Sequence, residues 1–165
     1  MNSNLVYRIL HWFRSIACLL SFTFPTLSQA KDTFDVVVYS ATPAGIMAAV
    51  QASKQGSTVI LLESKTVIGG MITAGLGATD IGSAGHIGGL SKEFFKRVSA
   101  AYNVPQRWNV ESGLARKIFD SFLAEHKIEL RKSWELERVD RKGPRITGVR
   151  SAASDVVKGK VFIDA

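Results

Sequence analysis

The chain has 165 residues, 46% hydrophobic, 21% charged and 9% aromatic, with a formal charge of +7. That length holds one domain of ordinary size, and the composition excludes a low-complexity or disordered protein. Lysines and arginines are scattered from Lys31 to Lys160 without a dense basic block or interleaved aromatics, which argues against a nucleic-acid partner.

The first thirty residues differ from the rest. Arg8, His11 and Arg14 precede a short apolar run, Ser15 to Phe24, which Pro25 breaks. Small residues follow at Ser28 and Ala30. A basic start, a short apolar centre and a small-residue site form the pattern of a cleavable secretory signal. The run is too short for a membrane span of about 20 residues, so no stable membrane anchor is expected after cleavage. The reading is a signal peptide over 1–30, a mature domain over 31–165, and a periplasmic or extracellular location. The single cysteine, Cys18, falls in the leader, leaving the mature chain without disulfide, thiolate nucleophile or cysteine metal site.

After the leader, Phe34 to Tyr39 predicts a buried strand. Ala44 to Gln55 predicts a helix with Gly56 at its C-terminal cap. Thr58 to Leu62 predicts a second buried strand, so the three form a βαβ unit with parallel strands. Lys65 to Gly89 reads as a long irregular stretch rich in glycine, and such loops inside compact domains are usually functional. Helices are predicted over Ser91 to Tyr102 and Glu111 to His126; in the second, Leu114, Ile118 and Phe122 recur every fourth residue. Four short strands follow: Ile128 to Arg131, Glu135 to Asp140, Arg145 to Ser151 and Val156 to Ile163. The turn Arg141 to Pro144 joins the middle two. The closing stretch "KVFIDA" is expected to form an edge strand.

The turn between the first strand and helix is where a dinucleotide-binding chain carries G-x-G-x-x-G. Here it reads Ser40-Ala41-Thr42-Pro43-Ala44-Gly45. The three glycines serve a tight turn, close approach of backbone to pyrophosphate, and close helix-to-strand packing. Gly45 keeps the third position. Ser40 takes the first, which a small side chain fits if φ stays negative. Thr42 takes the second, with its side chain turned away or its hydroxyl donating to a phosphate. Pro43 removes one N–H donor but suits a helix start, and the helix N-terminus still favours an anion. Glu63 lies at the end of the second strand, about twenty residues on, where an acid accepts hydrogen bonds from ribose hydroxyls and repels a 2′-phosphate. Gly69 and Gly70 then let the backbone pass close to a bound cofactor.

These residues carry a resemblance. The stretch from Asp35 to Gly82, with "HIGGLSKEFFKRV", "WNVESGLARKIFDSFL" and "KVFIDA", resembles the N-terminal part of exported bacterial FAD-dependent oxidoreductases of the glutathione-reductase-like flavoprotein class. In those relatives the loop is often G-x-T-x-A-G, so Thr42 matches and Ser40 departs. The resemblance implies an α/β, Rossmann-like FAD/NAD(P)-binding domain: a parallel sheet with flanking helices and a small β-meander, incomplete at its C-terminus. It implies FAD as cofactor, its pyrophosphate at the Ser40 to Gly45 loop and its adenosine ribose on Glu63. Gly69, Gly70 and Met71 would lie along the cofactor, and Leu136 would meet adenine through its backbone. It further implies that a threonine-glycine-rich segment and a substrate domain belong beyond Ala165, making this chain a fragment inactive alone.

The implied chemistry is hydride transfer through flavin to or from a small-molecule substrate, with no catalytic residue assigned. The alternatives are an NAD-dependent dehydrogenase domain and a non-catalytic truncated remnant. His86 and Asp80 read as solvated loop residues, His126 as a helix-end residue, and Trp108 and Trp134 as packing groups. The dispersed histidines give no metal site.

Overall fold

A computed structural model describes residues 32–165, so the expected signal peptide lies outside the described residues. Six strands form one sheet: β1 (Thr33–Tyr39), β2 (Val59–Leu62), β3 (Glu129–Arg131), β4 (Leu136–Lys142), β5 (Arg145–Ser151) and β6 (Val156–Asp164). Their order across the sheet is β3-β2-β1-β6-β5-β4. β3, β2, β1 and β6 run parallel, while β5 and β4 add an antiparallel hairpin beyond β6. The helices are α1 (Pro43–Lys54), the short α2 (Gly70–Thr73), α3 (Gly89–Ala101) and α4 (Ser112–Glu125), with a single 3₁₀ turn at Ala84–His86.

The apolar run in β1 is explained by cover on both faces. Val36 and Val38 pack with Ile46, Ala49 and Val50 of α1 and with Phe119 and Phe122 of α4. Val37 points the other way, into a cluster with Phe34, Ile60, Leu62, Trp134, Val149 and Val157. Strands covered on both sides lose the apolar–polar alternation of half-exposed ones. Each large side chain so buried contributes about 1.5–3 kcal/mol before ordering costs are counted.

The stretch "KVFIDA" is open along one side, as expected of an edge, and Val161 there is 52% exposed. On its paired side, Val161, Phe162 and Ile163 of β6 stand opposite Val36, Val37 and Val38 of β1. On its other side β5 pairs only with Val156 to Lys158. The place beside β1 follows from the parallel match of two apolar runs that lie far apart in the chain. The outermost strands are β3, only three residues long, and β4. β4 carries charge: Asp140 pairs with Arg150 at 2.8 Å and Arg138 at 3.2 Å. Short and charged edges resist pairing with another chain.

Candidate functional site

The strand order reverses at β1, which has β2 on one side and β6 on the other. Ligands of open parallel sheets sit outside the carboxyl ends of the strands at such a switch point. The loop Ser40 to Gly45 occupies it. Ser40 N–H donates to the Leu62 carbonyl at 2.8 Å, and Ala165 N–H donates to Tyr39 O at 3.1 Å. The loop is thus fixed by the ends of the strands on both sides of β1.

Thr42 is the N-cap of α1. Its φ and ψ are −65° and 167°, and its Oγ1 accepts from Gly45 N–H at 3.1 Å. The side chain therefore turns back onto the helix, as capping threonines do, and its hydroxyl proton stays available to an acceptor. Pro43 takes the first helical position, where its missing N–H costs nothing. Gly45 cannot carry a side chain, because a Cβ there would collide with the Ser40 carbonyl. That is the helix-to-strand packing role expected of the third glycine. Ser40 differs from expectation. Its φ is +80°, not negative. The turn demands the left-handed conformation that glycine adopts freely, and Ser40 is held in it by the bond to Leu62.

Glu63 is more enclosed than a strand-end residue suggests, at 6% exposure. Its Oε2 accepts from Ala41 N–H at 2.7 Å, and its Oε1 from Lys65 N–H at 2.8 Å. Ser64 Oγ lies 3.3 Å from Oε1. Glu63 thus ties the loop to the end of β2. A carboxylate has about four lone-pair sites, so Oε2 keeps room for one further donor.

The glycine pair lies against the same loop. Gly69 N–H donates to the Ala41 carbonyl at 2.7 Å. Gly69 and Gly70 have φ of +94° and +55°. A Cβ on Gly70 would stand 3.3 Å from Pro43 Cδ, and one on Gly69 would strike Thr73 and the Phe119 ring. Ala41 is therefore held by backbone and side chain from two directions, Glu63 on its N–H and Gly69 on its carbonyl. The glycine-rich stretch is not wholly irregular: α2 begins in it, and Thr73 Oγ1 donates to the Ile68 carbonyl at 2.5 Å.

Sequence reasoning named the loop, Glu63 and the glycine pair, and the structure brings all of them together. Met71 follows directly and is 71% exposed. Leu136 opens β4, two residues after Trp134, whose N–H donates to the Glu63 carbonyl at 2.9 Å. His86 and Asp80 are both exposed, and no hydrogen bond joins them among the described residues. Sequence reasoning missed Phe119 and Thr73, the groups that make Gly69 obligatory, and the clasp between Glu63 and Ala41.

The fit to a dinucleotide is seen in the donors left over. Among the described residues, the N–H groups of Thr42 and Ala44 have no protein acceptor. Both stand at the start of a twelve-residue helix, where the dipole and open amides attract a phosphate. No carboxylate side chain stands in the helix's first turn.

This geometry is that of the Rossmann-like, dinucleotide-binding α/β domains, and solved structures share the fold. A steroid monooxygenase bound to NADP shares the fold with a TM-score of 0.58 at 23% identity, over 81% of this chain and 26% of that one. The flavin-dependent brominase Bmp2 gives 0.61 at 17% identity, over 81% and 38%. The thioredoxin reductase of T. acidophilum gives 0.55 at 19% identity, over 81% and 35%. The chain thus spans roughly a quarter to two fifths of the structures it matches. A search of curated proteins found no match. The profile of the FAD dependent oxidoreductases matches residues 35–165, and the chain belongs to that family. The family decides between the two dinucleotides considered from sequence: the cofactor is FAD.

Proposed function

We propose that this chain is the FAD-binding part of an exported oxidoreductase of the glutathione-reductase-like class, acting on a small-molecule substrate. The observation that carries the reading is the loop Ser40 to Gly45 at the switch point, clasped by Glu63 and Gly69 with the Thr42 and Ala44 amides open. In this reading those amides and the Thr42 hydroxyl hold the pyrophosphate. The free capacity of Glu63 Oε2 takes a ribose hydroxyl, and a 2′-phosphate is repelled by the same carboxylate. Met71 lies along the cofactor, and the Leu136 backbone meets adenine. FAD, when bound, supplies hydride transfer through its flavin ring; the chain's own residues bind and orient it.

Export is supported by the basic, apolar and small-residue order of the first thirty residues. No helix among the described residues is long and apolar enough to cross a membrane. The reading is tested on exported material from cells carrying the full coding sequence. N-terminal sequencing is expected to start at Lys31, and the purified protein is expected to be yellow. Exported protein that still begins at Met1 would contradict cleavage, and a folded, colourless protein that stays colourless with added FAD would contradict the cofactor role.

A further inference from the structure

A second cavity lies away from the loop. It is a cleft of about 590 Å³ between the 3₁₀ turn, one face of α3 and the segment 104–108. Its apolar wall is Phe95 and Trp108, whose rings meet edge to face at 4.9 Å and 63°. Lys92 and Lys96 line it from one face of α3, and no Asp or Glu lines it. Like charges four residues apart disfavour a helix, yet neither lysine makes an ion pair among the described residues. The neighbouring acid on that helix, Glu93, is taken up by Arg97 at 3.3 Å.

The far wall is fixed rather than loose. Ser99 Oγ donates to the Phe95 carbonyl and accepts from Arg107 N–H, both at 2.8 Å. Thr79 Oγ1 donates to the Trp108 carbonyl at 2.7 Å. These bonds hold the 107–108 backbone against α3 and against the glycine-rich stretch. The cleft thus combines a held aromatic wall with two unpaired cations beside it. Phe95 also lines a smaller cavity of about 230 Å³ with Pro43 and Ala44 of the cofactor loop.

We propose that this cleft binds a small aromatic carboxylate, its ring against Phe95 and Trp108 and its carboxylate between Lys92 and Lys96. Ring-on-ring contact supplies apolar burial with preferred edge geometry. Two ammonium groups at i and i+4 give the carboxylate a partner for each oxygen. The proposal goes beyond cofactor binding and does not depend on it.

The probes are indole-3-acetate and its neutral isostere indole-3-acetamide, titrated calorimetrically into the full chain. The carboxylate is expected to bind at least about threefold more tightly than the amide, the size of effect that two part-exposed ion pairs support. Raising salt shrinks that difference. The double variant K92Q/K96Q removes it without lowering the melting temperature, since both lysines are exposed and their mutual repulsion is relieved. Trp108→Ala weakens both ligands by a similar factor and keeps the preference. Equal affinity for the two ligands, an undiminished preference in K92Q/K96Q, or no binding of either at millimolar concentration by folded protein each overturns the proposal.

Discussion

Replacing Glu63 distinguishes a residue that clasps the loop from one that only reaches out to a ribose. In the second case, changing it would cost affinity and leave the apo fold alone. The structure assigns it the clasp as well, because its Oε2 accepts from Ala41 N–H at 2.7 Å and Ala41 is fully buried. Glu63→Ala leaves that N–H without a partner. A stranded buried donor costs about 1–3 kcal/mol, and the lost bond at Lys65 is replaced by water because Lys65 is exposed. Glu63→Gln keeps one oxygen, which turns to Ala41; its NH2 cannot accept from Lys65 N–H, which turns to water, and the bond to Ala41 loses its charge assistance, about 1 kcal/mol. For a domain of this size each kcal/mol moves the melting temperature by about 4 °C. The alanine variant is therefore expected to melt about 4–12 °C lower and the glutamine variant about 4 °C lower. FAD affinity, measured well below either transition by flavin fluorescence, should fall about five- to thirtyfold in the glutamine variant, corresponding to about 1–2 kcal/mol. The assay is thermal unfolding of the apo forms by far-UV circular dichroism. An alanine variant melting with the parent would refute the clasp.

Ser40→Gly should raise the melting temperature. The left-handed conformation costs a non-glycine residue about 1–2 kcal/mol, and glycine's added unfolded-state freedom returns about 0.5–1 kcal/mol of that; a lower melting temperature would mean that the Ser40 side chain makes a stabilising contact. Gly69→Ala should cost about 2–4 kcal/mol, since its Cβ would stand 2.9 Å from the Phe119 ring at a φ of +94°; urea denaturation measures it, and an unchanged midpoint would contradict the packing described. Stability should fall in acid. Lys160 and Thr58 hold the Asp35 carboxyl below its ordinary value, Arg97 does so for Glu125, and Arg150 with Arg138 for Asp140. Each of these groups takes up protons more readily when unfolded, so its contribution is complete above about pH 5 and drains away as pH falls below that. Melting temperatures from pH 7 to pH 3 check this, and a flat profile would contradict it.

Much of the fold was legible because its signals are local. The Val36 to Val38 run announced a strand covered on both faces. The fourfold spacing of Leu114, Ile118 and Phe122 announced α4, and the strand, helix and strand patterns from Phe34 to Leu62 announced the βαβ unit. What stayed hidden depends on partners distant in the chain. The place of β6 beside β1 comes from pairing 158–164 with 33–39, which no local pattern marks. The short helix α2 starts on Gly70, a poor helix residue. It forms where Gly69 N–H bonds to Ala41 and Thr73 closes back on Ile68. Residue type alone did not show that Ser40 would be forced to positive φ, because that constraint belongs to the turn and the Leu62 carbonyl. The motif located Glu63, but its bond to Ala41 has no spacing signature, since a carboxylate facing out to ribose would occupy the same position.

The most direct test of the central claim is competition at the loop. The residues proposed to hold the cofactor meet its adenosine diphosphate half: the Thr42 and Ala44 amides, Glu63 and the glycine pair. FAD bound to the protein should therefore be displaced by ADP, followed as a fall in flavin fluorescence anisotropy. It should resist FMN, which lacks that half, and adenosine 2′,5′-bisphosphate, whose 2′-phosphate meets the Glu63 carboxylate. Displacement by FMN but not ADP would contradict the placement of the cofactor, and folded protein that binds no FAD at all would contradict the claim that the loop is a working site.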